Sequence, residues 1–349
     1  MDGVFSYLVR THCATYNHEH YIKDALQGFV MQETNFPVVY TIVDDASTDR
    51  NPEVIREFVN DKFDLQDTSI AYEKDMNYGR VTFARHKTNK NCYFAVIYLK
   101  ENHYSQKKSK MPYLTEWMDT KYIALCEGDD YWTDPLKLQK QVDYLEGHPE
   151  CCMCSHAVDW EIDGKLYEGG CRHKNSCDLT TDEVIRNGGL YLATNSLVYR
   201  KWLDEDQPEW RKKSMVGDYP LQILGTLRGK LHFLPDTMSV YRYLSSGSWT
   251  VLRFGSNRIS QERRVSHAKN KVLWMGLLDK DTGTQYAKTI YSALFQDFNT
   301  LYNEREIGFR EYYHAASRAD EKHYLRVFKD FLIRNLNLIY KTLKKHPGN

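Results

Sequence analysis

The sequence predicts an α/β fold: a mostly parallel sheet flanked by helices, followed by a C-terminal helical extension. Three observations carry that reading. Apolar runs of strand length alternate with amphipathic helical segments from the N-terminus onward. The first strands run directly into polar or acidic turns. From about residue 257 the pattern is helical to the end. The 349 residues divide accordingly into a sheet domain over 1–256, its halves meeting near 134, and a helical extension over 257–349.

Each element has its own signal. Tyr7-Leu8-Val9 reads as a first strand leading into Cys13-Ala14-Thr15-Tyr16-Asn17, and a helix follows with Ile22, Ala25, Leu26, Phe29 and Val30 on one face. A second strand, Val38 to Val43, ends in Asp44-Asp45-Ala46-Ser47-Thr48-Asp49. Val54, Ile55, Phe58 and Val59 mark the next helix, and Ser69 to Tyr72 reads as a third strand. This β-α-β-α-β order implies parallel pairing with right-handed crossovers. The stretch 77–120 is less regular; its Gln106-Lys107-Lys108-Ser109-Lys110 run reads as a solvated loop, with phosphate contact as the competing reading.

Tyr122 to Cys126 is a short buried strand that ends in Glu127-Gly128-Asp129-Asp130, where Gly128 permits a tight turn. Asp134-Pro135 supplies an N-cap and first-turn proline for a helix through Leu136, Leu138, Val142 and Leu145. Gly147-His148-Pro149 stops it. Asp163-Gly164 marks a hairpin between two further strands, and Thr180 to Glu183 is a capping box. Gly217-Asp218-Tyr219-Pro220 opens a helix, and Met238 to Tyr243 forms another strand.

In parallel sheets ligands sit beyond the carboxyl ends of the strands. Thr15 to Asn17, Asp44-Asp45 and Glu127 to Asp130 should therefore converge. Crowded carboxylates repel unless a cation sits between them, and hard divalent metals take oxygen ligands. The plainer reading is an acidic turn that caps a helix. No GxGxxG or P-loop is present, so a bound diphosphate has to be neutralised by metal.

Composition removes other classes. Lys plus Arg equal Asp plus Glu, 47 each, which argues against nucleic-acid binding. No run nears the roughly 20 apolar residues of a membrane span, and the N-terminus lacks a signal-peptide pattern. The expectation is a cytoplasmic chain, at most peripheral to the inner face of the plasma membrane. Cys151, Cys152, Cys154, Cys171 and Cys177 with His156 and His173 fit no paired zinc spacing; all eight cysteines read as free thiols.

Taken together, Thr15-Tyr16-Asn17 with Tyr21-Ile22, Ile42 to Asp49, Glu127 to Trp132, Gly217 to Leu221, and Tyr241-Arg242 followed by Gly247-Ser248-Trp249 resemble the family-2 glycosyltransferases of GT-A fold. The match covers roughly Ser6 to Thr250 and looks most like bacterial enzymes of capsular or other surface polysaccharide synthesis. The resemblance implies an inverting transferase that moves a sugar from a UDP- or dTDP-linked donor to a saccharide or lipid-linked acceptor. It implies that Ala14, Thr15 and Asn17 border the base, that Asp45 accepts a pyrimidine N–H, and that Asp129 faces the ribose or the metal. Asp130 would bind Mn²⁺ or Mg²⁺, Asp218 would be the general base, and Trp249 would line the acceptor or sugar pocket.

Glu127 stands where the family's metal motif begins with Asp, and Ala14 offers the base no hydroxyl. Gln261-Glu262-Arg263-Arg264-Val265 lacks the Trp of the processive Q-x-x-R-W motif, which points to one sugar per encounter. A metal-dependent nucleotidyltransferase and a non-catalytic sugar-binding protein are the rival classes. Between Glu321 and Asn349 seven Lys/Arg stand against two acids beside an apolar face. That face packs on the transferase domain or on a second copy in a homodimer, or else lies on an anionic membrane.

Overall fold

Strands form at the apolar runs and also at polar, exposed stretches such as Tyr72–Met76. In the computed structural model, which describes residues 6–243 and 261–319, they are, in chain order, β1 Val9–Thr15, β2 Val38–Asp44, β3 Phe63–Asp64, β4 Tyr72–Met76, β5 Gly79–His86, β6 Cys92–Leu99 and β7 Tyr122–Leu125. After these come β8 Tyr131–Trp132, β9 Cys151–Ile162, β10 Lys165–Gly169, β11 Cys177–Leu179, β12 Val198–Arg200 and β13 Lys230–Arg242. They make one mixed sheet in the order β11-β13-β9-β12-β7-β1-β2-β6-β5-β3, with β10 on β9, β4 on β5 and β8 on β13. The centre, β7-β1-β2-β6, is parallel, and antiparallel strands flank it on both sides.

The helices α1 Ile22–Val30, α2 Asn51–Lys62 and α3 Lys137–Gly147 cover one face of that centre. Val38, Tyr40 and Ile42 of β2 pack there with Phe29, Ile55, Phe58 and Leu138. The alternate residues Val39 and Val43 pack on the opposite face with Val81, Ile97, Leu114 and Trp117. A strand buried on both faces must read as a continuous apolar run, and β2 does. Trp132 joins the first face: it is fully buried, lies 5.0 Å from the Phe29 ring, and donates its indole N–H to the Asn195 carbonyl at 2.9 Å.

Two elements differ from the sequence reading. Ser69 to Ala71 is a turn, because the Asp67 carboxylate accepts the Ser69 N–H and the Asp67 carbonyl accepts those of Ile70 and Ala71. The strand parallel to β2 is instead β6, from the stretch that looked irregular. Helix α3 begins at Lys137 rather than at Pro135; Asp134 Oδ1 still accepts the Leu136 N–H at 2.8 Å, capping the turn before the helix.

The described residues fall into two compact units. One draws on Met1–Thr180, Gly189–Asp206 and Gln222–Arg258 and holds the whole sheet; the other draws on Thr181–Gly188, Gln207–Leu221 and Ile259–Asn349. The second unit contains helices Gln261–Asp281, Ala287–Ala293, Phe295–Asn303 and Phe309–Arg318. Trp210 and Trp274 are buried in it, Trp210 donating to Asp281 at 3.0 Å. Among the described residues no helix is long and apolar enough to cross a membrane. The basic tail 321–349 lies outside the described residues.

Candidate active site

The loops that leave the parallel strands stay tied to one another. In register, Thr15 stands beside Asp44. Beyond it the Asp45 N–H bonds the Thr15 carbonyl, and the Gly128 N–H bonds the Ala14 carbonyl, both at 2.9 Å. A Cβ on Gly128 would fall 2.6 Å from Thr15 Cβ and Oγ1, so only glycine lets the two strand ends approach this closely. Ala14, Thr15, Asn17, Asp45, Asp129 and Asp130 are thereby gathered at one edge of the sheet.

The loops after β1 and β2 clasp each other. Asn17, in the left-handed region at φ 56°, donates its N–H to Ser47 Oγ at 2.9 Å and accepts the Thr48 N–H on Oδ1 at 2.8 Å. The Glu19 N–H bonds the Asp49 carboxylate at 3.0 Å, and the Arg50 N–H bonds the Glu19 carboxylate at 2.9 Å. Beneath them Asp44 accepts Asn51 Nδ2 at 2.7 Å. Burial raises the Asp44 pKa, and the hydrogen bonds from Ser47 and Asn51 partly offset it.

Asp45 is the most heavily bonded residue of this edge. Its carboxylate accepts the backbone N–H groups of His103 at 2.7 Å and Tyr104 at 3.0 Å, and pairs with Lys110 Nζ at 2.9 Å. Asn102 adds a bond to the Asp45 carbonyl at 3.1 Å. The segment after β6, read from sequence as a solvated basic loop, is thus closed onto Asp45 through Lys110. Three donors leave about one of a carboxylate's four acceptor positions open.

Asp130 is treated differently. It is 1% exposed; Oδ1 accepts the Arg242 N–H at 2.9 Å, whereas Oδ2 is buried without a partner. Burial and the neighbouring Asp129 hold its carboxyl well above the usual range. His18 lies in the same electrostatic neighbourhood, influenced by Asp129, Asp49 and Asp44, and its buried Nδ1 also lacks a partner. Burial lowers its pKa despite those acids, which favours the neutral ring at pH 7. Sequence reasoning missed His18, whose only signal is its place directly after Asn17.

A divalent ion fits this edge in one particular way. Among the described residues no three His, Cys, Asp or Glu side chains form a ready cage. The orphaned Asp130 oxygen suits an ion held by one or two carboxylates, with substrate phosphates completing its shell.

Two predicted residues remain, Asp218 and Trp249. Asp218 belongs to the second unit, half-buried at the start of the helix Asp218–Arg228. Its neighbour Tyr219 is buried against Trp274 at 5.5 Å and donates its hydroxyl to the Ile185 carbonyl at 2.7 Å. Trp249 lies outside the described residues. Gln261 opens a helix whose Val265 packs with Ala268 and Leu301.

Comparison with known proteins gives a match to the model described as Glycosyl transferase family 2 over residues 13–206. Uncharacterised proteins of Mycobacterium tuberculosis and Mycobacterium bovis are 34% identical over 241 residues, covering 67% of this chain and 58% of theirs. The chain thus spans somewhat over half the length of those relatives. Among solved structures, Staphylococcus aureus TarS 1–349 in complex with UDP-GlcNAc gives a TM-score of 0.49 at 14% identity, covering 93% of this chain and 91% of that one. The mannosyltransferase PcManGT of Pyrobaculum calidifontis, in complex with GDP-Man and Mn²⁺, gives 0.47 at 12% identity, covering 88% and 80%.

Proposed function

This chain belongs to glycosyl transferase family 2, and we propose that it transfers a sugar, with inversion, from a nucleotide-diphospho-sugar to a hydroxyl of a saccharide or lipid-linked acceptor in surface polysaccharide synthesis. The observation that carries this reading is the unpartnered Asp130 Oδ2 at the ends of the parallel strands. A carboxylate oxygen kept from water and given no donor is costly, so the group holds its proton until a cation meets it.

Asp130 and Asp129 would hold Mn²⁺ or Mg²⁺, which when bound supplies the positive charge that stabilises the departing diphosphate. Ala14, Thr15 and Asn17 border the base. Asp45 keeps one acceptor position, enough for the imide N–H of uracil or thymine. Asp218, at the start of its helix, is assigned on its motif as the base that takes the acceptor's proton. Trp249 is assigned to the acceptor pocket on the resemblance alone. The transferase domain is taken as 1–256, with 257–349 as an extension.

Incubation with a panel of nucleotide sugars, acceptors and Mn²⁺ tests the reading. Nucleoside diphosphate should be released from a UDP- or dTDP-linked sugar. Pyrophosphate release marks a nucleotidyltransferase, and no release with any donor marks a binding protein. Asp218→Asn keeps the shape and should lower kcat by about 10²–10⁴-fold with donor binding nearly unchanged. Near-wild-type turnover in that variant removes Asp218 from the mechanism.

A further inference from the structure

Arg242 is the last residue of β13, and no catalytic or binding role attaches to it above. It is 7% exposed and meets groups on every side. Its main-chain N–H holds Asp130 Oδ1 at 2.9 Å, and one guanidinium nitrogen donates to the Asp129 carbonyl at 3.0 Å. Nε donates to Glu161 of β9 at 3.1 Å, and the other terminal nitrogen to Asp24 of α1 at 2.5 Å. The cation lies over the Tyr131 ring at 4.5 Å and the Tyr21 ring at 5.1 Å. Tyr131 in turn bonds Glu161 at 3.3 Å.

Two facts about this arrangement matter. First, Asp130 has one oxygen tied to a main-chain donor and the other left bare, so its orientation is set by where the Arg242 backbone sits. Second, the guanidinium joins three separate acceptors, on α1, on β9 and in the turn after β7. Only a rigid fork of five donors serves three directions at once; a lysine ammonium on a flexible stem does not. The ion pairs with Asp24 and Glu161 hold the strand end, and the strand end holds Asp130.

We infer that Arg242 is the positioning residue of the metal-facing carboxylates, a staple that presents Asp130 Oδ2 to a divalent ion arriving with the donor diphosphate. The inference rests on the transferase reading above. Partners of this kind, one shell out from the metal, typically change metal affinity by about 10–100-fold when removed.

The test is Mn²⁺ binding in the presence of UDP, followed by calorimetry and by the electron paramagnetic resonance of bound Mn²⁺, with no turnover required. Measurements are made well below the melting temperature of each full-length variant. Arg242→Gln should bind Mn²⁺ with UDP at least about tenfold more weakly than wild type. Arg242→Lys should fail to restore it, since charge without the fork reaches one acceptor. Should Arg242→Gln not fold, Glu161→Gln takes its place: it keeps the shape, removes one anchor of the fork, and should weaken Mn²⁺ binding in the same direction. Wild-type Mn²⁺ affinity in a folded Arg242→Gln or Glu161→Gln protein overturns the inference alone. Wild-type protein that binds no Mn²⁺ with any nucleoside diphosphate overturns the transferase reading and the inference with it.

Discussion

Asp45 and Asp130 sit at one sheet edge, each 1% exposed, and are in opposite states. Asp45 is bonded by two amides and an ammonium; Asp130 has one amide and a bare oxygen. Burial alone therefore does not tell how a carboxylate is bonded. What distinguishes them is how many donors the protein itself supplies, three to Asp45 and one to Asp130. Asp45 is placed to hold the loop after β6, and Asp130 to await something from outside.

The largest expected effect separates the two by activity. Asp130→Ala should lower kcat by about 10²–10³-fold, the equivalent of the several kcal/mol an ion contributes to charge stabilisation. Its melting temperature should fall less than that of Asp45→Ala, because the loss of a buried carboxyl oxygen without a donor offsets the one Arg242 N–H left stranded. A clear fall in melting temperature with activity kept would reverse the comparison.

Next comes stability. Asp45→Ala strands the buried His103 amide, at about 1–3 kcal/mol for a buried donor left unsatisfied, and frees the part-buried Tyr104 amide at less. Urea denaturation should show that loss, while UDP binding weakens by about 1–3 kcal/mol if the last acceptor position meets the base. Unchanged stability would mean that the loop after β6 does not depend on Asp45.

A pH effect sharpens the comparison with a buried cation. Lys137, just beyond the turn, is fully buried over the Trp132 ring at 4.2 Å, with Gln141 Oε1 at 2.7 Å from Nζ. Burial brings its pKa down to about 7. The unfolded chain, near the ordinary 10.5, then holds more protons than the folded one between those values, so stability should rise with pH from about 7 to 10. Lys137→Met should lack that rise. Parallel pH profiles of the two proteins would place the charge elsewhere.

These contrasts mark where sequence was legible. The strands β1, β2 and β7 and their polar or acidic turns could be read because period and turn chemistry are local. So could the first two helices, from the spacing of Ile22 to Val30 and Val54 to Val59. The donors of Asp45 could not, since His103, Tyr104 and Lys110 lie more than fifty residues away and their loop looks merely polar. Nor could the bare oxygen of Asp130, which depends on Arg242 more than a hundred residues on. β6 was hidden because Lys and Asn flank its apolar run, and the turn at Asp67 displaced the expected strand.

The clasp between the first two loops has a practical consequence for anyone wishing to exchange loops on this scaffold. Asn17 is pinned by Ser47 and Thr48, and Glu19 and Asp49 each grip the other loop's backbone. Neither loop should keep its conformation when its partner is exchanged for a sequence that lacks these bonds. A chimera that imports residues 15–19 from a relative must import 44–51 from the same parent, as a single cassette, or it inherits two halves of a lock cut for different keys.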